Sequence, residues 1–507
     1  MKTYHTIKTL ALGGIAMFSL ASCSLDYEPL SEPSEITQGG QTETSTAVLK
    51  DKAAADAQLK SLYELFRNRQ EHTHLDYLLI GDSHSDNAYA GTTGAEVVPY
   101  ETNSIDASNS VLSRDWNRYL EDIAQANVLI NGVEQLKENG QISEAEYHSY
   151  KAQGEIFRAL MMFRMARLWG SFPVITTIAK TITSENINEV YPTYYPPRKT
   201  PKECYEQIIA DLTDAEQYAP DNDNSDRTKM TKTVAQAMLA KVYAEKEVQD
   251  YDKVIAYADK VMNTTGVELE DSYETLWGYD ETAIDCMKRN TKEGILEVHW
   301  SGGGNWETWM YGRQLDNWDY YFTWAKWITP SRDIINDFDK EGDEVRKNQA
   351  IVYYACTWSN YYPASNYPFM YKLRSSYNNV YWVRLADIIL MKAEAEAYKG
   401  NLAESAELVN QIRKRAKLKE LTSDKTGSKE SMIEAVLHER RLELAFEGER
   451  WFDLCRNNKV EQYLNGIDNR DSGRIRQVKQ FDSNSYLLPI PQTALDQNTN
   501  LEQNPGY

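Results

Sequence analysis

Cysteine is scarce in this chain of 507 residues, which contains only five. Four of them lie far apart, at Cys204, Cys286, Cys356 and Cys455, and no Cys-x-x-Cys pair occurs. Neither a zinc signature nor a dithiol redox motif is therefore indicated, and buried free thiols are expected. After the N-terminal segment, the sequence also lacks any uncharged apolar run of 18 residues, so no transmembrane helix is predicted there.

Basic residues are outnumbered, with 55 Lys and Arg against 76 Asp and Glu, which gives a formal net charge of −21. A nucleic-acid-binding surface needs a basic stripe to neutralise phosphates, and none is present. The same deficit argues against electrostatic docking on anionic lipid. No nucleic-acid partner is predicted.

Enzyme motifs are absent: the chain contains no GxSxG, no HExxH and no P-loop. His72 and His74, near His84, form too weak a pattern for a metal site. An EF-hand at 221–232 is rejected because Asp226 and Lys232 occupy the positions of the invariant glycine and glutamate. No catalytic residue, metal or cofactor is predicted, although a glycosidase needs only two carboxylates and stays open.

The N-terminus has the three parts of an export signal. Lys2 and Lys8 are followed by an uncharged, mostly apolar stretch over 9–20 and then by Leu-Ala-Ser-Cys at 20–23, which resembles a bacterial lipobox. We expect residues 1–22 to be a signal peptide, Cys23 to carry lipid that anchors the chain to a membrane, and 23–50 to form a polar tether. An ordinary secretory signal with a chance cysteine is the alternative.

The remainder, 51–507, shows helical periodicity and is predicted to be one mostly α-helical domain. Thr200 and Pro201 have the positions of an N-cap and a first helical residue. Two hairpins of tetratricopeptide type indicate a superhelical scaffold. The predicted helices are 115–137, 143–169, 202–218, 232–247, 251–262, the hairpin 390–416, and a charged final helix at 432–456.

A long irregular region at about 264–380 contains a cluster of six of the twelve tryptophans within 28 residues. Trp is present 12 times and Tyr 34 times, against 11 Phe. Indole and phenol rings stack on the apolar faces of sugars, so the cluster predicts a carbohydrate platform; the alternative is the core of a loop-rich subdomain. The clustered tryptophans are Trp300, Trp306, Trp309, Trp318, Trp324 and Trp327.

Two polar segments are interpreted as structural and not as sites of chemistry. Residues 81–100 form a loop by composition, whose Asp and Asn residues favour capping and turn chemistry. The Arg and Glu residues of 438–454 are interpreted as an architectural network of ion pairs at i, i+3 and i+4 spacing along one helix. Its members are Arg440, Arg441, Glu443, Glu447 and Arg450.

Several segments together resemble the SusD/RagB family of outer-membrane nutrient-binding lipoproteins. The strongest are ERRLELAFEGERWFDLCR at 439–456 and LLPIPQTALDQNTNLEQNPGY at 487–507. FRALMMFRMARLWGSFPVI at 157–175 and YWVRLADIILMKAEAEA at 381–397 also match. The resemblance implies a SusD-like helical scaffold with a loop-rich, aromatic-rich face, no catalysis and no cofactor.

The resemblance further implies a place on the cell surface, as a lid over a SusC-like TonB-dependent outer-membrane transporter. The ligand would be an oligosaccharide or polysaccharide, with peptides as the alternative. A surface glycosidase and a purely structural scaffold are the competing hypotheses. The ligand contacts implied are Asp86, Asn87, Tyr89, Trp306, Trp309, Trp318 and Tyr320.

Overall fold

A computed structural model describes residues 49–91, 94–302, 327–357 and 359–507. Within these ranges helices dominate, as predicted. Those of ten residues or more are α1 to α10, in chain order Lys52–Asn68, Ser110–Glu138, Glu144–Trp169, Pro201–Tyr218, Lys232–Ala244, Tyr251–Met262, Arg332–Glu341, Leu385–Lys399, Leu402–Arg415 and Lys429–Glu443. Shorter helices are Asp76–Leu78, Val98–Thr102, Ile187–Val190, Glu274–Trp277, Glu344–Ala350, Ser423–Thr426, Arg450–Arg456, Val460–Leu464 and Gln492–Gln497.

Local sequence signals fix several helix ends. The Thr200 side chain accepts a hydrogen bond from the Glu203 amide, and the Glu203 carboxylate accepts from Thr200 in return, so the predicted start of α4 is confirmed. Ser143 and Glu146 form the same reciprocal cap on α3. Gly400, with φ of 86°, ends α8 in the left-handed conformation that glycine favours and turns the chain into α9.

The long helices pack in chain order. Each of α1 to α5 packs on the next helix, α6 packs on α8, and α8 packs on both α9 and α10. Small buried residues such as Ala393 allow the hairpin of α8 and α9 to close, and the Ser405 hydroxyl donates to the Ala393 carbonyl at 2.7 Å. One hydrophobic core extends from Leu49 to Leu501. None of the described helices has the length and apolar content that crossing a bilayer requires.

In the part of the chain that the structure describes, short strands pair in four antiparallel ladders. They are β1 to β8 in chain order: Ala88–Tyr89, Tyr279–Asp280, Asp285–Cys286, Gly294–His299, Thr329–Pro330, Ile351–Tyr354, Tyr367–Met370 and Asn379–Arg384. The pairs are β1 with β5, β2 with β3, β4 with β8 and β6 with β7. The region 264–380, predicted as irregular, therefore contains regular elements wherever it is described.

The predicted final helix over 432–456 is wrong as a single element. Helix α10 ends at Glu443, and a second helix begins at Arg450. Between them Phe446 and Gly448 have φ of 61° and 80°, which break the helix. The break lets the Gly448 backbone approach Gly81 so closely that a Cβ on Gly81 would lie 2.3 Å from the Gly448 carbonyl oxygen.

The Arg and Glu residues of this segment are architectural, as predicted, but their partners are not the predicted ones. Arg440 bonds Asp387 and Asp453 at 2.8 Å each, and the carboxylate of Glu443 bonds Arg384 at 2.6 Å. These side chains are buried, so the network joins separate elements inside the core instead of lining an exposed helix. Such buried pairs must be fully matched, because an unpartnered charge there is costly.

The described cysteines Cys204, Cys286, Cys356 and Cys455 are all free, as expected. Cys204 and Cys356 are buried, and the other two are half-buried. Cys23 lies outside the described residues.

Candidate functional site

The segment from Asp82 to Tyr89, predicted as a loop, is folded into the interior. The Asp82 carboxylate accepts hydrogen bonds from the Asn87 side-chain amide at 2.8 Å and from the backbone amides of Phe446 and Gly448 at 3.1 and 2.9 Å. Burial raises the pKa of Asp82 to about 7, although these three donors oppose the rise. The segment is therefore held directly against the helix break.

Asp86 is completely buried and bound by arginines. Its carboxylate accepts two hydrogen bonds from Arg450, at 2.8 and 2.9 Å, and lies 3.4 Å from Arg441. Burial opposes ionisation, but Arg441 and Arg450 hold the pKa of Asp86 well below its usual range. Neighbouring Asn87 accepts from the Arg441 Nε at 3.0 Å while donating to Asp82.

Tyr89 is also buried. Its hydroxyl donates to Asp471 at 2.5 Å and accepts from the Arg332 backbone amide at 3.0 Å. The side chains of Asp86, Asn87 and Tyr89 are 0% exposed and internally bonded. The expectation that these three residues contact ligand is corrected: in this structure they offer a ligand no surface, and they support the fold.

A set of tyrosine rings packs around Tyr89. The Tyr361 ring stacks on the Tyr89 ring at 4.2 Å between centroids, and Tyr362 lies 6.0 Å from Tyr89 and 5.8 Å from Tyr367. The Arg332 guanidinium lies 4.2 Å above the Tyr362 ring. We call Tyr89, Tyr361, Tyr362 and Tyr367 the tyrosine cluster.

The tyrosine cluster reaches the surface on one side. Tyr362 is half-buried, and Tyr354, which is 42% exposed, pairs with Tyr367 across the β6–β7 ladder. Tyr353 beside it is 39% exposed. Aromatic rings presented next to a guanidinium offer stacking and hydrogen bonding together, which suits ligands with both apolar and polar faces.

The C-terminal end of residues 300–327, which we call the Trp-rich segment, lies next to the tyrosine cluster. Tyr89 pairs with Thr329 in the β1–β5 ladder, the Ser83 hydroxyl donates to the Trp327 carbonyl at 3.0 Å, and the Ser331 amide donates to the Asn87 carbonyl at 2.9 Å. The two candidate constellations of the sequence, 82–89 and the tryptophans, are thus adjacent at one end. Trp306, Trp309, Trp318 and Tyr320 lie outside the described residues.

Trp300, at the other end of that segment, is buried. Its amide donates to the Asn378 carbonyl at 3.0 Å, and its carbonyl accepts from Arg289 at 2.7 Å. Its ring lies 5.6 Å from the His74 imidazole. Trp300 belongs to the core, so for this residue the structure favours the alternative interpretation of the tryptophan cluster.

Sequence reasoning missed the tyrosine cluster at Tyr361, Tyr362 and Tyr367. The signal was present as the run YYPASNY at 361–367, in which three tyrosines surround Asn366. Composition alone could not show that this run packs on Tyr89, because the contact spans more than 270 positions of the chain.

Among the described residues, the histidines do not form a metal site. His72 bonds Asp122 at 2.7 Å, and the His84 imidazole lies 2.6 Å from the Tyr100 carbonyl oxygen. In 49–91, 94–302, 327–357 and 359–507, no three His, Cys, Asp or Glu side chains are grouped so that they could hold a metal ion.

Comparison with known families gives two matches that together span most of the chain. Residues 292–507 match a family model described as "SusD family". Residues 41–244 match one described as "Starch-binding associating with outer membrane".

Curated relatives match over most of their length. SusD-like protein P2 of Formosa agariphila is 27% identical over 440 residues, which are 79% of this chain and 81% of the relative. A SusD-like protein of Bacteroides ovatus is 25% identical over 420 residues, 74% of this chain and 70% of the relative.

Solved structures share the fold. A SusD superfamily protein from Bacteroides vulgatus superposes with a TM-score of 0.73 at 21% identity, covering 91% of this chain and 100% of the other. A structure titled "Laminarin binding SusD-like protein" gives a TM-score of 0.68 at 21% identity, covering 90% and 100%. With both halves of the sequence matched and the fold shared throughout, this chain belongs to the SusD family.

Proposed function

We propose that this protein is a non-catalytic glycan-binding protein of the cell surface. It binds an oligosaccharide or polysaccharide through aromatic stacking and passes it to a SusC-like TonB-dependent transporter in the outer membrane. The observation that carries the proposal is the β1–β5 ladder, which attaches the end of the Trp-rich segment to the tyrosine cluster. Family membership and the laminarin-binding neighbour support the same class of ligand.

The ligand contacts proposed are of two kinds. Trp306, Trp309, Trp318 and Tyr320 are proposed from the sequence pattern. Tyr362 is added from the structure, because its ring is half-buried and lies beside the Arg332 guanidinium. Sugar C–H faces stack on such rings while hydroxyls bond the guanidinium.

Calorimetric titration of residues 49–507 with laminarin, amylopectin, xylan and mannan tests the binding. We expect at least one glycan to bind with an affinity between micromolar and millimolar, about −4 to −8 kcal/mol. Trp309→Ala and Tyr362→Ala should each weaken binding at least tenfold. The matched control is Tyr191→Ala, since Tyr191 is 52% exposed on the separate segment 187–194.

Two alternative outcomes are distinguishable in the same experiment. If the protein binds a peptide mixture and none of the glycans, its ligands are peptides, and it would deliver peptides to the transporter. New reducing ends, released from the glycan during incubation, would show a glycosidase and overturn the non-catalytic assignment.

The anchoring and domain organisation are proposed from the sequence. Residues 1–22 are proposed as signal peptide, Cys23 as the lipid-bearing residue, 23–50 as the tether and 51–507 as one domain. Metabolic labelling with radioactive palmitate should mark the wild-type protein and not Cys23→Ser. Copurification of a β-barrel transporter from detergent-solubilised membranes tests the partner, and purification without any such barrel would contradict it.

A further inference from the structure

A cavity of about 550 Å³, lined by charged and aromatic side chains, lies in a different part of the molecule. Its walls come from the C-terminal end of α3, the connection after α5, the helix Arg450–Arg456 and residues 483–487. None of these elements belongs to the tyrosine cluster or the Trp-rich segment. The volume is within the range of about 300–1,000 Å³ that is typical of small-molecule sites.

The floor of the cavity is charged and buried. Arg167 lies 3.0 Å from the Glu245 carboxylate, and Arg456 bonds both oxygens of Glu394 at 2.8 Å. The side chain of Arg456 is only 1% exposed, and its Nη1 has no hydrogen-bond partner in the part of the chain that the structure describes. Buried polar groups are nearly always bonded, so this N–H group leaves the floor of the cavity one hydrogen-bond acceptor short.

Glu245 is the complementary group. It is 8% exposed, and burial raises the pKa of its carboxyl even though Arg167 and Arg456 oppose the rise. The floor therefore holds an acceptor at Glu245 and an unpartnered donor at Arg456, and the charges of the two side chains interact. A hydroxyl group donates and accepts at once, so a pair of adjacent hydroxyls satisfies both.

The rim adds aromatic surface and further polar groups. The ammonium of Lys246 lies 4.6 Å from the centre of the Tyr486 ring and donates to Asn458 at 2.6 Å. The Tyr486 hydroxyl donates to Glu461 at 2.6 Å. Tyr205 and Phe452 also line the cavity.

The lining holds three cationic and three anionic side chains, so its charge is balanced. A balanced site has no net charge with which to select an anion or a cation. Paired carboxylates and cationic donors next to aromatic rings instead match a neutral polyhydroxylated ligand. We propose that this cavity is a second glycan-binding site, which takes one or two rings of a neutral sugar.

The proposal goes beyond the proposed function, because it assigns a site that does not use the tyrosine cluster or the Trp-rich segment. It is tested in a background in which Trp306, Trp309, Trp318, Tyr320 and Tyr362 are all replaced by Ala, so that failure of one site is not mistaken for failure of the other. Saturation-transfer NMR with maltose, laminaribiose, cellobiose and xylobiose measures binding at the cavity.

We expect at least one disaccharide to bind in that background. Ser483→Trp, which fills the exposed mouth, should abolish the transfer signal, and Tyr486→Ala should weaken binding at least fivefold. Tyr486→Phe keeps the ring and should retain most of the affinity. Lys253→Ala is the matched control, because the Lys253 ammonium lies 4.3 Å from the Tyr243 ring outside the cavity.

The cavity proposal is overturned if none of the four disaccharides binds in the background protein. It is also overturned if binding persists unchanged in both Ser483→Trp and Tyr486→Ala. Thermal denaturation of each variant shows that it is folded, and Tyr486→Ala carries the test if Ser483→Trp does not fold. If replacing the tryptophans removes all binding and the cavity binds no disaccharide, the result supports the proposed function and refutes this second site.

Discussion

The replacement Asp86→Asn separates a structural role from a ligand-binding role at the residue where sequence and structure disagree most. The change keeps the shape of the side chain and removes its charge. Arg450 then faces a neutral amide across contacts that were 2.8 and 2.9 Å long, and Arg441 loses a carboxylate 3.4 Å away. All of these groups are buried, so solvent does not replace the lost charge.

Breaking one side of a buried ion pair costs about 3–5 kcal/mol, mainly because the remaining charge stays desolvated. We therefore expect Asp86→Asn to lower the free energy of unfolding by that amount in urea titrations at pH 7. The exposed control is Asp271→Asn, since Asp271 is 98% exposed and only 3.4 Å from Lys292; its effect should stay within about 0.5 kcal/mol.

The stability difference between wild type and Asp86→Asn should change with pH in one direction. The folded-state pKa of Asp86 is depressed, so its contribution is present above the unfolded-state pKa of about 4 and is lost as pH falls further. The difference in free energy of unfolding between wild type and Asp86→Asn should therefore become smaller below pH 4. If Asp86→Asn instead keeps wild-type stability and loses glycan binding, Asp86 is a ligand contact and its assignment as a buried anchor is wrong.

Three further outcomes are expected, each measured against wild type. Gly81→Ala should cost about 2–3 kcal/mol in urea unfolding, because its Cβ would meet the Gly448 carbonyl. Gly140→Ala, which has open space around it and only the strain of a φ of 67°, should cost about 1 kcal/mol; equal costs would contradict the close approach. Burial lowers the pKa of His84 to about 4. Lowering the pH from 7 to 5 should therefore reduce the free energy of unfolding of wild type by about 2 kcal/mol more than that of His84→Asn. An equal reduction in both proteins would refute the lowered pKa. Burial raises the pKa of Cys204 and Cys286 to about 11 and 12, so alkylation by iodoacetamide at pH 8 should be at least tenfold slower in the folded protein than in urea; similar rates would contradict this.

The helical scaffold could be predicted because its signals are local. The cap at Thr200 acts within four residues and is where the sequence places it, and the glycine turn at Gly400 lies inside the predicted hairpin 390–416. The periodicity of α3 and α4 was likewise sufficient to give their bounds within one residue. Such features need no knowledge of the rest of the chain.

The break at 444–449 could not be predicted, because its cause is distant. Arg440 and Glu443 have spacings that are compatible with an exposed helix, and nothing in the local pattern shows that the segment is buried. The deciding contacts come from Asp387, Arg384 and Gly81, which lie far away in the sequence. The prediction of a loop at 82–87 from its polar composition failed for the same reason. Nothing in the local sequence shows that Arg441 and Arg450 lie beside these residues and that the segment is buried.

The same distant contacts connect the scaffold to the proposed glycan site. Arg450 and Arg441 hold Asp86, the Asp86 carbonyl accepts from the Ser331 hydroxyl at 2.6 Å, and Ser331 directly follows β5. The end of the Trp-rich segment is thus fixed to the helix break through buried bonds, and a rigid support of this kind positions ligand-binding side chains. The family resemblance implied that Asp86 and Trp309 both contact ligand. We therefore expect measurements of stability and of glycan affinity to distinguish the two residues. Asp86→Asn should lower stability and leave glycan affinity unchanged while the protein is folded, whereas Trp309→Ala should lower affinity and leave stability unchanged. A variant of either kind that changes both quantities would show that the buried anchor and the ligand surface are one unit.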